Sequence, residues 1–194
     1  MGAQLAAVFA NKGIKTYLFD ISNELATKGK DRLKTLKPAP LESPGNINLI
    51  VPCSYKSDLE KITQVDWVLE AVAENLDIKL RVYDTILPLL KKSAILTTNT
   101  SGLTLKELSQ KFSLELKNKF MVSHFFNPPR YMHLLELIKG EETSLETYNK
   151  ISNFGKNINT NIWNYNLSRT SYANSSNSCR FYRWRGRYFE KSYG

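Results

Sequence analysis

The chain has 194 residues, an apolar fraction of 42% and a formal net charge of +9. That is room for one domain of ordinary size with part of another, and no run approaches the roughly 18 apolar residues of a membrane span. Cys53 and Cys179 stand far apart with neither metal-ligand nor disulfide spacing, so a reducing compartment is the default and no metal centre is expected.

Charge is unevenly spread. Residues 1–160 hold 21 basic and 17 acidic side chains, whereas residues 161–194 hold six basic and one acidic. The basic balance therefore owes much to the last stretch and says little about the body of the protein.

Residues 2–11 are predicted as a helix with Leu5, Ala6, Val8 and Phe9 on its apolar side and Gly13 as a C-terminal cap. Residues 14–19 read as a short apolar strand closed by Asp20. A helix, a strand and a terminal acid about twenty residues after a glycine form the second half of a Rossmann nucleotide-binding unit. In that unit glycines let the backbone approach a pyrophosphate at a helix N-terminus, and the acid binds ribose hydroxyls. Gly2 alone stands for the glycines here. By itself the pattern is weak and suits α/β proteins of many kinds.

Ser22 can cap a helix reaching residue 37 that carries Lys28, Lys30, Arg32, Lys34 and Lys37. Those cations read as a solvated face or as a basic patch near an anionic cofactor tail. Pro38, Pro40 and the Ser43-Pro44-Gly45 stretch mark a loop. Residues 47–51 are a predicted strand, 57–62 a short helix and 66–72 a buried strand of the parallel type. Glu74 follows at a carboxyl end, where open α/β sheets bind ligands. A helix over 78–90 and a strand over 94–98 come next, and Asn99-Thr100-Ser101-Gly102 closes that strand. Two helical pieces lead on to residue 121, and residues 144–157 read as a further helix. Such alternation predicts a doubly wound α/β domain.

Residues 121–138 organise the rest. They read as a strand, a Pro-Pro turn and a second strand, holding His124 and an isolated acid, Glu136, within Leu134-Leu135-Glu136-Leu137-Ile138. A carboxylate in an apolar strand is costly unless something pairs with it. A histidine ending the neighbouring strand can be that partner, and a His–Glu pair makes a general base near neutral pH. The alternative is a satisfied core histidine beside an unrelated edge glutamate.

Five segments in order, namely MGAQLAAVFANKG, YLFD ending at Asp20, VLEAVAENLDIK, TTNTSG and HFFNPPRYMHLLELI, resemble the NAD-binding domain of the L-3-hydroxyacyl-CoA dehydrogenases. The bacterial fatty-acid β-oxidation branch is the one most similar. The resemblance implies a Rossmann-type doubly wound parallel sheet, with the first strand missing from the chain and the helical C-terminal domain absent. It implies NAD as cofactor, held by Met1 and Gly2 at the pyrophosphate turn and by Asp20 at the ribose, where an acid disfavours NADP. It further implies cofactor contacts from Val72, Ala73, Glu74, Lys79, Asn99 and Ser101, and substrate contacts from Ser101 and Asn127. Its catalytic group is His124, Glu136 and Ser101, with His124 removing the hydroxyl proton of an acyl-CoA substrate and Glu136 holding the imidazole. Without the central strand, backbone groups on either side lack partners, so weak NAD binding and marginal stability are expected.

The implied activity is oxidation of L-3-hydroxyacyl-CoA to 3-ketoacyl-CoA; the alternative is an inactive fragment or remnant of such an enzyme. Full-length members form homodimers or larger β-oxidation complexes, cytoplasmic in bacteria and mitochondrial or peroxisomal in eukaryotes, with no membrane partner. The domain is expected to span residues 1–160. Residues 161–194 contain no Val and no Asp and read as a basic, disordered tail, with a frameshift near residues 160–168 as one source. Within it, residues 180–189 interleave arginines with aromatics, as single-strand nucleic-acid surfaces do. A shifted frame gives that composition by accident, so nucleic acid is not expected as a partner.

Overall fold

In the computed structural model the residues described are 1–158 and 160–165. Helix α1 (Gly2–Ala10) buries Leu5, Ala6, Ala7, Val8, Phe9 and Ala10. Gly13 then takes a φ of 75° and the Ile14 amide donates back to the Phe9 carbonyl at 3.1 Å, which closes the helix and turns the chain into β1 (Thr16–Asp20). Ser22 caps α2 (Asn23–Arg32) by accepting from the Leu25 amide. That helix stops well short of residue 37, ahead of the prolines at 38 and 40 that withhold helix donors.

A 3₁₀ turn over Pro44–Leu49 takes up the start of the predicted strand, so β2 runs over Ile50–Ser54. The chain continues through a 3₁₀ turn (Leu59–Gln64), β3 (Trp67–Glu70), α3 (Leu76–Ile86) and β4 (Ile95–Thr98). Two one-turn helices follow, α4 (Leu105–Leu108) and α5 (Leu114–Lys117), then β5 (Phe120–Phe125) and β6 (Leu134–Lys139). Helix α6 (Leu145–Asn157), capped by Ser144, leads into β7 (Asn161–Tyr165).

The strands form two sheets. One pairs β1 with β2 in parallel; the other has the order β3-β4-β5-β6-β7, parallel except for the antiparallel β5–β6 pair. No strand lies between β1 and β3 among the described residues, as the expected fold requires. Side chains span the boundary instead. Ala6, Ala7 and Ala10 of α1 pack with Ile50 of β2, while Leu5, Val8 and Phe9 pack with Ile95, Met121 and Leu135 of the larger sheet. Phe9 meets Trp67 edge-on at 5.2 Å and stacks on Phe154 at 5.2 Å. On other elements, Phe19 packs against the cluster of Tyr83, Leu96 and Phe120. Arg130 donates to the carbonyls of Ala39 (2.6 Å) and Leu41 (2.7 Å), and the Tyr131 hydroxyl also donates to Ala39 (2.8 Å).

Strand β7 differs from the expected tail. Residues 161–165 add in parallel to the open edge of β6, and Ile162 packs against the core. Helix α6 can approach this closely because Gly155 lacks a side chain: a Cβ there would meet Leu135 Cδ2 at 2.8 Å. The remainder of the tail, including the frameshift reading and the arginine–aromatic pattern at 180–189, lies outside the described residues.

Phe9 reaches the larger sheet and α6 from the helix that also covers the smaller one. Truncating Phe9→Ala should therefore cost about 3–5 kcal/mol, measured as a lowered urea midpoint at unchanged slope. A loss under about 1 kcal/mol would mean that Trp67 and Phe154 close over the space.

Candidate active site

Strands β3, β4 and β5 run in parallel, so their carboxyl ends share one edge of the sheet. The last residue of β3 is Glu70, whose side chain is only 1% exposed. Lys79, on the buried face of α3 and equally sealed, donates to Glu70 Oε1 at 2.7 Å and Oε2 at 3.0 Å. Thr98 at the end of β4 donates to Oε2 (2.7 Å), as does the Tyr83 hydroxyl (3.0 Å), while the Val72 amide donates to Oε1 (2.8 Å). Burial first, and then the charge of Glu70, holds the Tyr83 phenol far above its ordinary pKa, which keeps it a donor.

A second carboxylate sits above the first. Glu74 is 41% exposed and its Oε2 lies 3.4 Å from the Lys79 Nζ. Its Oε1 accepts from the Thr100 hydroxyl (2.5 Å) and from the amides of Ser101 (2.9 Å) and Gly102 (3.0 Å). One acid thus gathers the donors of the turn that leaves β4, and Ser101 stands exposed on that turn. Asn99 fixes the turn's start: its amide donates to the Glu70 carbonyl (2.7 Å), and its side-chain oxygen accepts from the Phe125 amide (2.8 Å).

Phe125 follows His124, and β5–β6 pairing sets His124 directly opposite Glu136. Their side chains, 14% and 11% exposed, bring Nδ1 to 3.1 Å from Glu136 Oε2. The Phe126 ring lies 4.7 Å from the imidazole. Register alone delivers this pair, because directly opposite residues of an antiparallel ladder share a face.

The other predicted positions divide into those that are open and those already engaged. Asp20 ends β1, half-buried, with Oδ1 accepting from the Ile21 amide at 2.7 Å. Met1 and Gly2 start α1, whose first turn has no acidic residue and no side-chain cap. Asn127 is exposed beyond β5. Three expected cofactor contacts are committed internally. The Val72 amide goes to Glu70, the Ala73 carbonyl accepts from the Asn75 amide (2.7 Å), and Lys79 is sealed beneath Glu74 rather than offered at the surface.

Glu70, Tyr83, Thr98 and Thr100 were not singled out from the sequence. The signal for Glu70 was present: an isolated acid in the apolar run Trp67-Val68-Leu69-Glu70-Ala71, the same argument that picks out Glu136.

A sequence model of the family described as "3-hydroxyacyl-CoA dehydrogenase, NAD binding domain" matches residues 1–162. The chain belongs to that family. It is 40% identical over 161 residues to a fatty acid oxidation complex trifunctional enzyme of Rickettsia felis, covering 79% of this chain and 22% of that one. It is 37% identical over 163 residues to a 3-hydroxyacyl-CoA dehydrogenase of Deinococcus radiodurans, covering 80% and 47%. The chain thus spans less than half the length of either relative. Among solved structures, the (S)-3-hydroxybutyryl-CoA dehydrogenase of Ralstonia eutropha superposes with a TM-score of 0.73 at 26% identity, over 84% of this chain and 59% of that one.

NAD is the cofactor of this 3-hydroxyacyl-CoA dehydrogenase family. The residues present suit it on their own chemistry. An uncapped helix start without acids attracts phosphate, and a carboxylate closing the neighbouring strand can accept ribose hydroxyls.

Burial alone would raise the pKa of Glu74, but the Thr100 hydroxyl, the Ser101 amide, Lys79 and the Gly102 amide together hold it below the usual range. A depressed folded value means that this stabilisation is complete above the ordinary glutamate pKa, about 4.3, and is lost as pH falls through the lower folded one. Carboxyl carbon NMR should place the Glu74 titration below about 4.3, with exchange protection at Ser101 and Gly102 fading over the same fall. Titration at the free value would show that Glu74 does not hold the turn.

Proposed function

We propose that this chain carries the NAD-binding and proton-abstracting part of an enzyme oxidising L-3-hydroxyacyl-CoA to 3-ketoacyl-CoA in fatty-acid β-oxidation. The observation that carries the reading is the His124–Glu136 pair, set directly opposite across β5 and β6 at the rim of the sheet. NAD, when bound, supplies the acceptor for the hydride of the substrate's C3 carbon. Asp20 would hold the adenosine ribose, and the start of α1 at Met1 and Gly2 would face the pyrophosphate. Asn99, Ser101 and the Glu74-held turn would border the nicotinamide end.

The proton is the work of this chain's own residues. With Nδ1–H directed at Glu136, the Nε2 of His124 has its lone pair free to take the proton of the 3-hydroxyl. Glu136 fixes that tautomer and offsets the positive charge that the ring gains. The Ser101 hydroxyl orients the substrate oxygen, and Asn127 contacts the substrate beyond β5. The functional unit is residues 1–160, acting within a homodimer or a larger β-oxidation complex.

One observation favours a second reading, a non-catalytic relative of such enzymes: no strand among the described residues joins β1 to β3. Both readings meet in one assay, NADH production from NAD and a 3-hydroxyacyl-CoA by the purified chain. The first expects turnover that His124→Gln reduces by at least about a hundredfold at unchanged circular dichroism, with a smaller fall for Glu136→Gln. No turnover, together with no rise in melting temperature on adding NAD, would support the second.

A further inference from the structure

We propose that Glu70 is a positioning residue of this site: it fixes Lys79, Lys79 holds Glu74, and Glu74 holds the turn that presents Ser101. The proposal rests on the reading of Ser101 as a group at the reacting centre.

The contacts run in one direction of decreasing burial. Glu70 and Lys79 are both 1% exposed, and Tyr83, Thr98 and the Val72 amide complete the coordination of Glu70. Burial and these bonds tie both side chains of that pair in place. Lys79 therefore presents its ammonium as a fixed cation to Glu74 Oε2 at 3.4 Å. Glu74 itself is 41% exposed, and a carboxylate that open samples several rotamers in water unless something holds one oxygen. With Oε2 held from below, Oε1 remains aimed at Thr100, Ser101 and Gly102.

The backbone of Glu70 works to the same end. Its carbonyl accepts from the Asn99 amide at 2.7 Å, and the Asn99 side chain accepts from Phe125, the neighbour of His124. Glu70 thus secures the turn at its start through a carbonyl and at its middle through a chain of charges. Strand β3 ends where it must for both. A buried ion pair placed only to fill the core would need neither the Lys79–Glu74 contact nor the convergence of four donors on Glu74, the Ser101 hydroxyl at 3.4 Å among them.

The test separates the two roles in the 194-residue chain. Glu70→Gln alone leaves the buried Lys79 charge with only its longer contact to Glu74 and lowers stability, so the deciding variant is the double replacement Glu70→Gln with Lys79→Met, which removes both charges together. Removing both charges avoids the penalty of one uncompensated buried charge, so the double variant should melt nearer the parent than either single. Its Ser101 and Gly102 amides should nevertheless exchange about tenfold faster, and kcat for 3-hydroxyacyl-CoA should fall with KM little changed. Glu70→Asp, which keeps the charge but draws the carboxylate back by one methylene, should give intermediate exchange.

A folded double variant, or a folded Glu70→Asp protein, with parental exchange at Ser101 and Gly102 overturns the proposal. A parent chain without turnover would count against the dehydrogenase reading alone, since amide exchange still decides the role of Glu70.

Discussion

A carboxylate sealed from water at the end of β3 is the constraint on which the site depends. An unpaired charge there would be ruinous, so Glu70 draws partners from every element near it: Lys79 and Tyr83 from α3, Thr98 from β4, and the amide of Val72 from its own strand end. Those bonds fix how far α3 stands above the sheet and where β4 stops. Among the described residues no buried side-chain nitrogen or oxygen is left without a partner. The polar interior is closed.

Glu136 shows the other fate of an acid in an apolar strand. It too sits among leucines, but its partner is an imidazole near the rim instead of a sealed ammonium. A Lys–Glu pair with no access to solvent can only hold position. A His–Glu pair with 14% of the imidazole side chain exposed can exchange a proton with something that arrives from outside. Depth, more than residue type, separates the two pairs.

Much of this was legible in the chain itself. The capping serines at 22 and 144, the apolar face of α1 and the pairing of His124 with Glu136 all follow from local rules. Boundaries were lost where prolines impose their own geometry, at Pro38 and Pro44. The contact of Arg130 and Tyr131 with the loop at Ala39 and Leu41 joins residues about ninety positions apart, and no periodicity announces it. The burial of Lys79 was not legible: helical spacing says which face a lysine is on, not whether a buried acid waits beneath it. Strand β7 escaped because its composition matches the tail, while its order comes from the open edge of β6.

The boundary between β1 and β3 has a consequence for how the protein opens. Hydrogen-bonded ladders unzip only at considerable free energy, whereas a junction of interdigitated side chains can part without breaking a single strand pair. Here the junction includes the far side of α1, Phe19 with Tyr55 just beyond β2, and the Arg130 and Tyr131 bonds to one loop. Among the described residues, the two sheets are therefore joined along a seam of side-chain packing and single hydrogen bonds with no strand ladder between them. Asp20 lies on one bank of that seam and the Ser101 turn belongs to the other. Any molecule gripped by both would act as a clasp across that seam.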